Sequence, residues 1–237
     1  MGRVWTAAGG SADSGVMTRT PLFLASLTLL VGCSSNKDGP DAARPVNPET
    51  IAEAPMPAIQ SDTFAAAGDL AASRGQFARA ASQYEQALQV KPADAATARK
   101  LALAYVKADR LTDAIGAWKR YLTLSNGADD AYGSLGYAYE LSGKPAEAEV
   151  IYKQGVAANP KGQLTHVNYG LMLVRRNDVD AAVQQLSAVL KPPEVNYNIA
   201  GVYANLGRRD LADFYYKRAL ECDPGFVPAR QKLSMVQ

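Results

Sequence analysis

From Ser61 to Pro224 the apolar positions recur with a helical period, and the clearest stretch is Asp129–Pro160. Its first half carries Tyr132, Leu135, Gly136 and Tyr139, its second half Ala148, Tyr152 and Gly155, and Gly143 divides them. Apolar residues at i, i+3, i+4 and i+7 give one buried stripe per helix, so the pattern predicts two helices joined by a turn. Gly136 and Ala148 are small where bulk would hold the helices apart. A lone hairpin cannot bury such a stripe, so it needs neighbours.

Those neighbours occur at a fixed period of 34 residues. Ala95–Asn126 supplies Leu101, Ala102, Tyr105, Asp109, Ala114 and Trp118, and Ser61–Pro92 supplies Phe64, Gly68, Gly75, Ala80, Tyr84 and Ala87. Downstream, Gln163 onward supplies Tyr169, Gly170, Asn177, Ala182 and Leu186. A copy from about Pro193 supplies Ile199, Ala200, Tyr203, Gly207, Ala212, Tyr216, Ala219 and Pro224. Two columns hold through all copies. One is alanine throughout, Ala80, Ala114, Ala148, Ala182 and Ala212. The other, Gly75, Asp109, Gly143, Asn177 and Gly207, uses types that tolerate a left-handed backbone at a helix end. First helices are expected near 62–74, 95–108, 129–142, 163–176 and 194–206, and second helices near 78–91, 112–124, 146–158, 180–190 and 210–222. Thr112, Asp180 and Asp210 stand where N-caps are wanted. The fifth copy starts 30 residues after the fourth, and Pro192-Pro193 must end the preceding helix early, which predicts an irregular junction. A last helix over 227–236, with Arg230, Gln231, Lys232 and Gln237 on its polar side, reads as a cap.

The repeat resembles the tetratricopeptide repeat (TPR) family over about three quarters of the chain. The resemblance implies an all-α, right-handed solenoid of about five helix hairpins over 61–224, with a capping helix over 225–237. It also implies a concave groove, lined by first helices, that takes a protein or peptide partner. The lining slots are Arg99, Leu103, Val106 and Lys107; Tyr137 and Leu141; Leu164, Val167, Leu171, Val174 and Arg175; and Tyr197. Asn168, Asn198 and Asn205 lie close by, suited to a peptide backbone. The alternative for each apolar member is packing between repeats. Relatives that clamp a C-terminal carboxylate use a lysine and an asparagine four residues apart. Arg99 and Leu103 occupy those slots here, so that mode is not carried over.

The N-terminal region follows different rules. Leu22–Val31 is an apolar run of ten residues after Arg19, too short for a bilayer-spanning helix of about 20 residues and suited to the core of a signal peptide over 1–32. Leu30-Val31-Gly32-Cys33 resembles a bacterial lipobox, which implies lipidation at Cys33; the alternative is an ordinary signal peptide ending near a cysteine. Met17 offers a compact start, leaving 1–16 as an upstream extension or unstructured leader. From Cys33 to Gln60, with Pro40, Pro45, Pro48, Pro55 and Pro57, the chain reads as a lipidated N-terminus and a solvated tether. Its reach is between roughly 30 Å as a coil and roughly 80 Å in polyproline II.

Charge and candidate chemistry narrow the function. With 25 Lys and Arg against 23 Asp and Glu, the net charge of +2 gives no basic face for nucleic acid. Gly143-Lys144 lacks the upstream glycine of a phosphate loop. One histidine, His166, and two cysteines without a CxxC pair leave no expected catalytic residue, metal site, cofactor or small-molecule substrate. His166 is expected to be structural. Cys222 aligns with Val90, Leu124 and Ala158 and is expected to be a buried small hydrophobe, against an intermolecular disulfide or reactive thiol. Asp129-Asp130 opens a helix, where negative charge complements the dipole. Lipobox, tether and repeats together resemble TadD-like lipoproteins of tight-adherence (Flp) pilus assembly and type IV pilus pilotins. By that resemblance the expected protein is a non-enzymatic scaffold, tethered to a membrane by lipid and assisting assembly of a pilus or secretion complex. Ser34 after Cys33 implies the periplasmic face of the bacterial outer membrane. The alternatives are an adaptor for outer-membrane biogenesis or cell-wall enzymes, or a non-catalytic subunit of an envelope enzyme.

Overall fold

The computed structural model describes residues 60–234, and every regular element there is a helix. Five hairpins follow one another: α1 (Ser61–Ser73) with α2 (Phe77–Val90), α3 (Ala95–Lys107) with α4 (Leu111–Leu124), α5 (Asp129–Leu141) with α6 (Pro145–Ala158), α7 (Gln163–Arg175) with α8 (Val179–Ser187), and α9 (Pro192–Asn205) with α10 (Arg209–Cys222). A final helix, α11 (Val227–Ser234), packs on α10. The signal segment, Cys33 and the tether up to Ile59 lie outside the described residues, as do the last residues of the expected cap.

Each hairpin is built on the same two local devices. The turn residues Gly75, Asp109, Gly143, Asn177 and Gly207 all take positive φ, between 59° and 74°. After each of them the next N–H reaches back to the third-last helical carbonyl: Gln76 to Ala71, Arg110 to Tyr105, Lys144 to Tyr139, Asp178 to Leu173 and Arg208 to Tyr203, all at 2.9 Å. These bonds satisfy carbonyls the helix end would otherwise leave unpaired. The second device is a small residue facing a large one. A Cβ on Gly68 would stand 2.5 Å from the Tyr84 ring, one on Gly136 2.4 Å from Tyr152, and one on Gly170 2.7 Å from Leu186. Ala80, Ala114, Ala148 and Ala182 are fully buried and Ala212 nearly so, as close packing of the second helices requires.

One detail departs from the sequence reading. The second helices start earlier than Thr112, Asp180 and Asp210, because the left-handed residue leads almost directly into the next helix. Those three residues sit in the first turn, and of the actual caps before them only Asp178 uses its side chain, accepting from the Ala181 N–H at 3.3 Å. The expected irregular junction is present. α8 stops at Ser187, and Pro192 and Pro193 open α9, where their missing N–H groups cost nothing.

Apolar side chains form two cores. The first runs from Ala71 through α2, α3 and α4 to Leu135 and Ala138 on α5. The second begins at Ala148 and Tyr152 on α6 and runs through α7, α9 and α10 to Ala229 on α11. Half-buried Tyr139 packs against both.

Candidate functional site

The first helices carry the candidate groove, and the geometry sorts its residues into three groups. Tyr137, Leu141 and Leu164 are the open apolar members, 39%, 42% and 37% exposed. Leu103 and Val106 are half-buried against the first core, and Val167, Leu171 and Tyr197 against the second. Tyr197 is further drawn inward by aromatic neighbours, 5.6 Å from Tyr216 and 5.7 Å from Phe226. Val174 is a correction: at 1% exposure it is a residue of the second core, not groove lining. The open apolar positions are therefore Tyr137 and Leu141 in the second half of α5 and Leu164 at the start of α7, with half-buried Leu103 on α3 and Leu171 on α7.

The asparagines also divide. Asn168 donates from Nδ2 to the Gly133 carbonyl at 3.1 Å, bonding α7 to α5. Asn198 donates to the Glu194 carbonyl of its own helix at 2.8 Å. Their amide donors are engaged within the fold, and only Asn205 of the three presents an exposed side chain.

Two of the groove's cations, Arg99 and Arg175, are paired by carboxylates on neighbouring first helices, as is Lys100 on α3. Arg99 Nε lies 2.7 Å from Asp130 Oδ2, Lys100 Nζ 2.8 Å from Asp69 Oδ2, and Arg175 Nη2 2.5 Å from Glu140 Oε2. Each carboxylate also accepts a tyrosine hydroxyl from a second helix: Tyr121 to Asp130 at 3.0 Å, Tyr84 to Asp69 at 2.7 Å, Tyr152 to Glu140 at 2.7 Å. Burial and the adjoining carboxylate push the Tyr84, Tyr121 and Tyr152 phenols above their ordinary range. Partial burial raises the Asp69 carboxyl, but hydrogen bonds from Lys100 and Tyr84 bring it below its usual value. Lys107 stands 5.0 Å from the Phe77 ring centre. Arg99 and Arg175 are thus neutralised within the fold, whereas Lys107 meets an aromatic ring.

Sequence reasoning missed Asp69, Asp130 and Glu140 as groove components. A signal existed: their cationic partners lie 31, 31 and 35 residues away, close to the repeat period, which puts both charges on adjacent first helices. Asp129 reads in sequence as serving its own helix, yet its carboxylate accepts the Leu164 N–H at 2.8 Å and the Thr165 N–H at 3.1 Å on α7.

His166 is buried, with Nδ1 3.1 Å from Gln185 Oε1 and Nε2 3.2 Å from the Pro160 carbonyl oxygen, a structural placement. Cys222 is exposed, which corrects the buried reading. Its column lies in the last turn of the second helices, where Val90 is also 54% exposed and Leu124 is half-buried. Among the described residues no cluster suited to a metal ion occurs, and no helix is long and apolar enough to cross a membrane.

Comparisons with known proteins agree with this architecture. One tetratricopeptide repeat profile matches residues 65–131, 99–162 and 134–194, and a second matches 193–226. No curated protein matches the sequence. Among solved structures, the crystal structure of MamA is 25% identical, covers 69% of this chain and 92% of that chain, and superposes with a TM-score of 0.54. TTC0263, a thermophilic TPR protein of Thermus thermophilus, is 22% identical, with coverage of 74% and 97% and a TM-score of 0.53. A chain of the APC/C hetero-tetramer Cut9–Hcn1 is 15% identical, with coverage of 75% and 36% and a TM-score of 0.54. With matches running from residue 65 to residue 226 over an all-helical solenoid, the chain belongs to the tetratricopeptide repeat family, whose members are generally non-catalytic scaffolds for protein interaction.

Proposed function

We propose that this scaffold is a lipid-anchored adaptor of the bacterial outer membrane, on the periplasmic side, that captures a protein segment during assembly of a pilus or secretion complex. Support for the anchor comes from the Leu30–Cys33 motif and the proline-rich tether after it. The observation that carries the binding role is the exposure of Tyr137, Leu141 and Leu164 on two first helices, with Leu103 and Leu171 half-buried on first helices; we read them as one apolar strip. Exposed apolar surface framed by polar groups marks an interaction site. Because Arg99 and Arg175 are already paired with Asp130 and Glu140, the strip favours a partner segment recognised by apolar contact. Each leucine-sized anchor buried there contributes roughly 1.5–3 kcal/mol.

The test uses photocrosslinking in cells. A photoreactive residue replacing Leu141 should form a defined adduct that Leu171→Asp abolishes, whereas the same residue replacing exposed Val150 on α6 should not. Equal adducts from both positions, or indifference to Leu171→Asp, would overturn the groove. Identification of the adduct as a pilus or secretion subunit supports the assembly role; a cell-wall hydrolase or outer-membrane biogenesis factor replaces it. Cys33→Ser should release the protein from its membrane fraction, and a mature N-terminus elsewhere than Cys33 would remove the anchor.

A further inference from the structure

The contact between the third and fourth hairpins is unlike the others, and we infer that Asp129 is a positioning residue that locks α7 against α5 and so sets the geometry of the groove. The first core ends on α5 and the second starts on α6, where Tyr152 stacks on Tyr169 of α7 at 5.6 Å, so the apolar contact across this joint comes from α6. Beside that stack the backbones approach closely. A Cβ on Gly133 would lie 2.9 Å from Leu164 Cγ, and one on Gly155 2.6 Å from Tyr132 Cβ and 2.9 Å from Thr165 Cγ2.

Polar bonds to α7 then converge on one residue. Asp129 Oδ2 accepts the Leu164 N–H and Oδ1 the Thr165 N–H, while the Asp129 carbonyl accepts the fully buried Thr165 hydroxyl at 3.1 Å. First-turn N–H groups have no partner within their own helix and are ordinarily capped by the residue just before it. Asp94 does this for α3, accepting from Ala96 and Thr97. At α7 that place is held by Gly162, which has no side chain to offer. A Cβ there would stand 2.2 Å from Asp129 Oδ1. The glycine thus vacates the space that the carboxylate of the previous repeat occupies. A local cap stabilises one helix; this one ties two helices together.

The consequence for binding rests on the proposed groove. Tyr137 and Leu141 ride on α5, Leu164 and Leu171 on α7, so the strip crosses the joint that Asp129 holds. Loss of the carboxylate should let the two halves of the strip splay.

The experiment measures the joint itself. In the full chain carrying Cys33→Ser, spin labels on Gln86→Cys in α2 and on the exposed native Cys222 in α10 report the distance between the two halves by double electron–electron resonance. Asp129→Ala should shift or broaden that distribution, Asp129→Asn should do so less, and Asp94→Ala should leave it unchanged. Amide exchange at Leu164 and Thr165 should become roughly five- to tenfold faster in Asp129→Ala, the loss of a cap. Gly162→Ala keeps the carboxylate but blocks its seat, so it should reproduce the distance change if Asp129→Ala loses its helicity altogether. Distance distributions for Asp129→Ala or Gly162→Ala that match Asp94→Ala would reduce Asp129 to an ordinary cap and overturn the inference. A changed distance with undiminished partner adduct at Leu141 would keep the lock and overturn the groove reading instead.

Discussion

The joint between the third and fourth hairpins, where Tyr152 of α6 stacks on Tyr169 of α7, and the joint between the fourth and fifth differ in how their first helices meet. At the former, α5 and α7 meet through glycine surfaces and directed polar bonds: Asp129 to Leu164 and Thr165, Asn168 to Gly133, Arg175 to Glu140. At the latter, α9 sends Val195, Ile199, Ala200 and Val202 into the core that Met172, Leu173 and Val174 of α7 also fill. The cross-repeat polar bond there is exposed, Arg208 Nη1 to Asn177 Oδ1 at 3.2 Å. The polar joint has the regular repeat spacing and the apolar joint has the shortened one. Apolar packing is non-directional and tolerates a changed helix geometry, whereas hydrogen bonds demand a fixed one. An irregular step is thus accommodated where the contact is greasy.

The contrast orders the expected effects of mutation. Ile199→Ala, at a fully buried position of the apolar joint, should destabilise the chain by about 2–5 kcal/mol in denaturant titration. A loss below about 1 kcal/mol would mean that α9 repacks freely. Thr165→Val, which keeps the shape but removes the hydroxyl bonded to Asp129, should cost about 1–3 kcal/mol, with its exchange effects concentrated on α5 and α7. Uniform effects along the whole array would erase the distinction between the joints.

Acid should act on the polar joint first. Hydrogen bonds from Lys153 and Arg176 hold the Glu149 carboxyl below its usual value, and Arg176 follows directly on α7. A folded value below the unfolded one means the contribution is present above the ordinary carboxylate range and is lost as pH falls through the folded value. Amide exchange near Arg176 should therefore quicken below about pH 4, ahead of that on α9, and Glu149→Gln should remove the difference. The smallest stability change is expected in the groove. Leu141→Asp should alter stability by no more than about 0.5 kcal/mol, because the side chain is open to water, while abolishing the partner adduct of a photoreactive residue placed at Tyr137. A melting temperature lowered as far as by Ile199→Ala would show Leu141 to be core.

Much of the fold was legible because a repeat states its rules several times. The all-alanine column and the left-handed column are local requirements, one for close approach and one for a turn, and both hold in the structure at every copy. The groove was legible only in outline. Its slots follow from the repeat, but whether Val174 faces the groove or the core depends on small rotations of α7 against its neighbours. The Cys222 column looks apolar in sequence, yet Val90 and Cys222 are exposed while Leu124 packs against the first core, so neighbours and not the slot decide burial there.

Sequence by itself determined the hairpins, their number, their turns and the shortened fourth step, because those depend on backbone conformation and side-chain size within about one repeat. Tertiary structure alone decided what the charges and caps do. Asp129 and Asp130 look like a pair serving one helix, yet one caps α7 and the other holds Arg99 and Tyr121. A carboxylate bonds whichever donor the fold brings within about 3 Å, and that donor can lie 35 residues away along the chain.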